Sequence, residues 1–420
     1  PRFFCICNLY QNGAFWIKMI FMQNRAKIII PLVVLLIVIV AIATCTGNSS
    51  IFVQWEPVAI QNSNNSVKLK VYIENSGSMD GYMRQKSEFK DAVKSYVNAL
   101  DLKVDTTELY YINTQISSFK ADIAKLEEAL NPASFAKCAG SRSNSDIADM
   151  LNNIVMQTGD NSVSMFISDC ILDVPQGDAV NFFGVKQTNV TRSFTKALRK
   201  HPKLGVEIIK LSSSYQGMYY YAKGCEPIDS KRPYYIWMIG NKDLLGKLNK
   251  KVALTTIQHG YDNYVAFSST TNVPFDIATS LKKHLIKGNL NIKGQYVFEF
   301  MVDMSETLQE EATLMSSSNY VSRTGRNVSV SSVEKVKQGS GYTHILTLEI
   351  SKNTKPCSET ISFAPPAMPT WVDEVNDDSG SDIRKNMNKT TGIKYLIKGV
   401  SDAYKDNTNL ATIDFRIKNN

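Results

Sequence analysis

From residue 67 onward the apolar positions keep switching between two periods. Val67 to Glu74 (Val-Lys-Leu-Lys-Val-Tyr-Ile-Glu) is β-branched and alternating, which predicts a strand. Residues 84–100 set Phe89, Val93, Tyr96, Val97 and Leu100 at helical spacing. Further strands are predicted at 109–112, 163–167, 206–211 and 234–239. Further helices are predicted at 122–130, 146–156 and 190–200, and one more follows a capping Asn241 and carries Leu244, Leu245 and Leu248. Strands alternating with helices imply βαβ units. Near-continuous apolar strands such as Ser164-Met165-Phe166-Ile167 imply burial on both faces. The expected class is α/β, with a doubly wound, mostly parallel sheet over 67–255.

Beyond a connector at 256–289 the pattern changes. Residues 295–303, 327–336 and 342–350 read as strands between Ser/Gly-rich turns, with no long helix among them. This predicts a smaller antiparallel β domain over 290–365. The proline cluster Pro365-Pro366-Ala367-Met368-Pro369 closes it. A C-terminal extension, 366–420, holds an acidic stretch, a candidate helix at 391–404 and a last strand at 410–417.

Residues 1–21 show no period and no caps, and read as non-native upstream sequence translated in frame, or as a fragment, with the start expected at Met22 and Met19 as the alternative. Arg25 and Lys27 then precede Ile28 to Ala43, an apolar run of 16 residues. Small residues and Cys45 follow, so 22–45 has the layout of a signal peptide. A spanning helix usually needs about 20 apolar residues. Ile42-Ala43-Thr44-Cys45 resembles a bacterial lipobox, which implies a lipid on Cys45; Thr44 departs from the usual Gly, Ala or Ser. The alternative is an uncleaved membrane anchor. Polar residues 46–66 suit a tether. Both readings place the rest outside the cytoplasm, attached to a membrane of the cell envelope.

Composition narrows the class. Apolar residues are 43% and charged residues 20% of the 420, which excludes collagenous, disordered and disulfide-scaffold chains. The net charge of +8 loses half its size when residues 1–44 are set aside, since these hold Arg2, Lys18, Arg25 and Lys27 and no acid. The remaining +4 gives no support to an electrostatic partner. Basic clusters around Lys196–Lys203, Lys247–Lys251 and Lys282-Lys283-Lys287 read as solvated helix faces, so no nucleic acid is expected. Cys138, Cys170, Cys225 and Cys357 permit three complete pairings. A bridge between Cys138 and Cys170 is one option, and a small buried apolar Cys170 is the other. The four histidines match no zinc spacing.

In a doubly wound sheet, ligands bind beyond the carboxyl ends of the strands. Three segments belong there: Glu74-Asn75-Ser76-Gly77-Ser78-Met79 after the first strand, Ser145-Asp146-Ile147-Ala148-Asp149 entering a helix, and Ser168-Asp169 ending an apolar strand. Together they resemble von Willebrand factor A domains over about 67–255. The metal-ion-dependent adhesion site of that family has Asp-x-Ser-x-Ser after strand one, a Thr opening a helix and an Asp ending a later strand. Glu74-x-Ser76-x-Ser78, Ser145 and Asp169 take those places, with Glu for Asp and Ser for Thr.

The resemblance implies a metal set of Glu74, Ser76, Ser78, Ser145 and Asp169. It also implies a protein partner whose acidic residue fills an open coordination position. Hydroxyls and carboxylates are hard donors suited to Mg²⁺, and for the longer Glu74 carboxylate three options stay open: direct coordination, a shifted ion, or a larger ion such as Ca²⁺. The expected function is a non-catalytic, envelope-anchored interaction module. One alternative is a metal-free scaffold of the envelope. Another is a serine hydrolase using Ser76 or Ser78, although no histidine, Gly-x-Ser-x-Gly elbow or phosphate-binding glycine loop accompanies them.

Overall fold

The computed structural model describes residues 50–420 except 57, 59–65, 84–86, 120–122, 144–145, 176–178, 222–223, 279–282, 338–340, 367, 381–382 and 408. The upstream segment 1–21, the signal segment with Cys45, most of the tether and Ser145 therefore lie outside the described residues. So does the side chain of Arg326.

Strand β1 (Ile51–Gln54) starts in a β-sandwich, and the chain then crosses to a seven-stranded sheet. Its strands are β2 (Lys68–Glu74), β3 (Thr106–Ile112), β4 (Ile116–Ser118), β5 (Ser162–Ser168), β6 (Leu204–Tyr221), β7 (Gly224–Asn241) and β8 (Asn263–Ser268). The spatial order is β4-β3-β2-β5-β7-β6-β8.

The doubly wound, mostly parallel sheet expected from the sequence is not what forms. Parallel pairing in this sheet is confined to β2 with β3 and β2 with β5. β7 lies beside β5 and runs antiparallel to it, β6 and β8 continue antiparallel, and β4 closes the other edge antiparallel. The fold is mixed α/β. Parallel neighbours need a crossover of about a dozen residues, usually a helix. Residues 212–221 and 224–233 carry no helical pattern, and instead prolong both flanking strands into one long hairpin, β6–β7. A fully buried strand is apolar whichever way its neighbour runs, so strand direction leaves no mark in the pattern.

Both faces of the sheet are covered. Alternation along β2 sends Leu69, Val71 and Ile73 to one face and Tyr72 to the other. The first face packs on helix α1 (Glu88–Asp101), which buries Phe89, Val93, Tyr96, Val97 and Leu100. The second packs on α2 (Ile147–Gln157) and α3 (Ala179–Lys200). Helix α4 (Lys242–Lys251), capped by Asn241 through Asp243 N–H at 3.0 Å, returns to the first face.

The sandwich is built from widely separated pieces of chain. One sheet joins β1 with β9 (Thr271–Asn272) and β11 (Leu285–Lys287). The other contains β10 (Phe275–Ile277), β12 (Asn289–Leu290) and β13 (Gln295–Val302). The first sheet also takes β14 (Tyr320–Ser322) and β17 (Cys357–Phe363), and the second takes β15 (Val328–Lys335) and β16 (His344–Ser351). A short parallel pair, β18 (Asn376–Asp377) and β19 (Thr390–Thr391), precedes helix α5 (Ile393–Ala403), and β20 (Ala411–Asn419) ends the chain inside the first sandwich sheet.

Sequence position and spatial position therefore part company. The segment read as a tether supplies β1, and the one read as a connector supplies β8 to β11. The helix expected at 391–404 is α5, and it packs on α3 over the second face of the central sheet. Gly399 permits that approach, because a Cβ there would meet the Gln187 carbonyl at 2.7 Å. Among the described residues no helix is long and apolar enough to cross a bilayer.

The sandwich meets the sheet near the amino ends of β2 and β5. Buried Lys242 donates to the carbonyls of Ser269 at 2.8 Å and Thr270 at 3.2 Å. Lys250 pairs with Asp303 at 2.8 Å, just past β13. Tyr264 hydroxyl donates to Leu308 O at 2.6 Å, and Glu207 accepts from Tyr264 and from Asn249, each at 2.6 Å. The carboxyl ends of the parallel strands, where the candidate site lies, point the other way.

Candidate functional site

Parallel pairing brings the ends of β2 and β5 side by side, with Ile73 beside Ile167. One residue further, Ser168 Oγ donates to Glu74 Oε2 at 2.5 Å and accepts the Cys170 N–H at 2.7 Å. Glu74 is 1% exposed and Ser168 is fully buried. A hydroxyl serving two partners at once fixes both strand ends. Cys170 follows Asp169 in the left-handed region, at φ +54°, a conformation that costs a non-glycine residue energy. The Trp237 indole donates to its sulfur at 3.3 Å. Burial pushes its thiol far up, so it is a packed, inert group.

The turn after β2 is pinned by backbone and side chain. Asn75 N–H donates to Ile112 O at 2.8 Å, and Asn75 Nδ2 donates to Phe135 O at 2.5 Å. Gly77 N–H donates to Arg142 O at 3.1 Å, while Arg142 Nη2 returns to Ser76 O at 3.2 Å and to Asp80. Ser76 and Ser78 share a hydrogen bond of 2.9 Å between their hydroxyls.

Asp169 is the unusual residue. It is 1% exposed, its Oδ1 accepts Ile171 N–H at 3.2 Å, and its buried Oδ2 has no partner among the described residues. Burial pushes its carboxyl above the usual range. Ser78, the Ile171 N–H and Arg232 act against that shift. The Ser78 hydroxyl lies beside this carboxyl and favours its charged form.

Of the residues expected to form a metal set, Glu74 is tied to Ser168, and Ser76, Ser78 and Asp169 gather at the turn. Ser145 lies outside the described residues. Its neighbour Asp146 caps α2 by accepting the N–H groups of Ala148 at 3.1 Å and Asp149 at 3.3 Å, and it also holds Lys186. Among the described residues no three His, Cys, Asp or Glu side chains form a metal group. Any cation here would therefore depend on hydroxyl oxygens as well as Asp169. The orphaned Oδ2 and the paired serine hydroxyls fit that chemistry. Cys138, Cys170, Cys225 and Cys357 are all unbridged.

Sequence reasoning missed the overhang of the β6–β7 hairpin. Pairing with β5 stops at Tyr235, yet the hairpin continues to Tyr221 and Gly224, beyond the strand end. Its arms close over the turn. A Cβ on Gly81 would lie 2.3 Å from the Tyr215 ring, and one on Gly77 3.2 Å from Tyr220. Tyr215 packs edge-on against Tyr82 at 4.9 Å, and Tyr82 hydroxyl donates to Pro233 O at 2.7 Å. The overhang also carries Arg232, 1% exposed, which donates to Met387 O at 3.0 Å and leaves Nη2 without a partner among the described residues. Burial, and after it the Asp169 charge, pushes the Tyr82 and Tyr215 hydroxyls up, which keeps them neutral. The period-two spacing of Tyr215, Gly217, Tyr219 and Tyr221 was the available signal for this extension.

The sequence matches no known protein family and no curated protein.

Proposed function

We propose that this chain is an exported, membrane-anchored, non-catalytic binding module. Its recognition pole is the 75–80 turn beneath the β6–β7 overhang, where Ser76, Ser78 and Asp169 would hold Mg²⁺ or Ca²⁺. A bound cation would supply a positive centre with a coordination position for an acidic residue of a partner protein. The reading takes from the A-domain resemblance the order of motifs alone. The observation that carries it is the orphaned Asp169 Oδ2, a buried carboxylate oxygen beside hydroxyl donors. Ser168 holds Glu74 and keeps the strand ends in register, while Arg142 fixes the turn that carries both serines. The four histidines sit elsewhere. His201 is against Asp160, His259 against Asp91, His344 against Glu311, and His284 against Trp55, so Ser76 and Ser78 have no imidazole base.

A second reading, the metal-free scaffold, is favoured by Arg232, whose charge already acts on Asp169. Isothermal titration with Mg²⁺, Mn²⁺ and Ca²⁺ separates the two. Saturable heats in the parent, lost in Asp169→Ala and weakened in Ser78→Ala, are expected. A parent without heats would leave Arg232 as the counter-charge to Asp169 and overturn the cation-dependent reading.

A further inference from the structure

The sandwich has a second end, remote from the central sheet. β13 runs from Gln295, paired with Ser351, to Val302, next to the Lys250–Asp303 contact. At about 3.4 Å per residue its two ends are roughly 25 Å apart. Cys357 pairs with Ile417 at the remote end, and the Gly288 N–H donates to Ile51 O there at 3.1 Å. The polypeptide thus enters the fold beside the 288–294 turn.

That end has a distinct composition. The stretches 287–295, 351–357 and 417–418 hold Lys287, Lys293, Lys352, Lys355 and Lys418, all exposed, and no acidic residue. Glu349 and Glu299 lie back along the face of the second sheet. Glu359 turns into the core, where it accepts the N–H groups of Arg323 at 2.9 Å and Thr324 at 3.3 Å. At the tip of the turn Leu290 is 58% exposed and Ile292 fully so. Two bare aliphatic side chains ringed by lysines form a poor surface for water and a good one for a charged interface.

We propose that this end of the sandwich rests on an anionic lipid surface. Leu290 and Ile292 enter the headgroup–acyl boundary, and the lysines meet lipid phosphates. The inference builds on the membrane-anchored part of the function proposed above. Seven residues separate Ala43, the last of the apolar run, from Ile51. Fully extended they span at most about 25 Å, so an anchored chain keeps this end close to the bilayer. The attraction of an anionic surface for lysines is local, fading within a Debye length, and this closeness brings it into play. The orientation also turns the 75–80 turn away from the membrane, toward a partner.

The test uses full-length chain reconstituted into vesicles with brominated acyl chains, with and without phosphatidylglycerol. Emission of a tryptophan added by Ile292→Trp is compared with one added by Val180→Trp, in the exposed first turn of α3, each after subtraction of the parent. In anionic vesicles the first should lose at least half its emission and the second almost none. Reversal of Lys287, Lys293, Lys352 and Lys355 to Glu should abolish the difference. A vesicle-bound chain that quenches equally at both positions overturns the docking and leaves anchoring intact. A chain that does not sediment with vesicles overturns the anchoring itself. Equal quenching in uncharged vesicles overturns the role given to the lysines.

Discussion

The guanidinium of Arg232 lies 4.6 Å from the centre of the Tyr219 ring, deep under the β6–β7 overhang. Its charge opposes the burial of Asp169, so a residue from the hairpin helps hold the carboxylate that ends β5. Arg232 makes no direct ion pair with Asp169, and it donates to the Met387 carbonyl, so removing it leaves a buried acceptor without its donor at a cost of about 1–3 kcal/mol and takes a charge away from Asp169. Arg232→Met should destabilise the chain by that order. Adding Asp169→Asn should recover part of it. Urea unfolding of the four chains checks this, and additive losses would show that the two groups do not interact.

Ser168→Ala should cost about 2 kcal/mol. It removes the donor to Glu74 Oε2 and the acceptor for Cys170 N–H in one step, inside a site with almost no access to water. Ser168→Thr keeps the hydroxyl and should cost less. The measurement is the shift of the urea midpoint, with the slope unchanged. A silent Ser168→Ala would mean that the short contact contributes nothing.

Glu306 gives the junction between sheet and sandwich a pH dependence. Burial, and then nearby Asp243, raises its carboxyl to about 7, while Lys242 and Lys203 pull it down. The folded state therefore holds this proton more tightly than the unfolded chain. The stability it contributes is complete below the usual Glu range and is lost as pH rises through about 7. Thermal unfolding should show a Tm that falls between pH 5 and pH 8, and Glu306→Gln should flatten that slope. An unchanged slope would assign it to another group.

Local pattern settled a good deal. Phe89, Val93, Tyr96, Val97 and Leu100 face the core as their spacing requires, and Asn241 caps α4 as its position before an apolar run implies. Those properties depend on residues within a turn or two of each other, which is why they are written in the chain. The placement of Glu74 beside Ser168 was half legible. Each residue ends a readable strand, but their hydrogen bond exists only because β2 and β5 pair in parallel register.

Strand direction, strand order and the sandwich belong to tertiary structure alone. The 206–211 and 234–239 runs look the same whether their neighbours run parallel or antiparallel, and the choice falls to an overhang that finds its partners in Tyr82, Gly81 and Asp169. β1 and β20 share a sheet although almost the whole chain separates them, so no local period could pair them. Sequence determined which residues must leave water. The long-range closure of the backbone decided which of them meet, and with that where Arg232, Asp169 and the lysine-rich end of the sandwich come to lie.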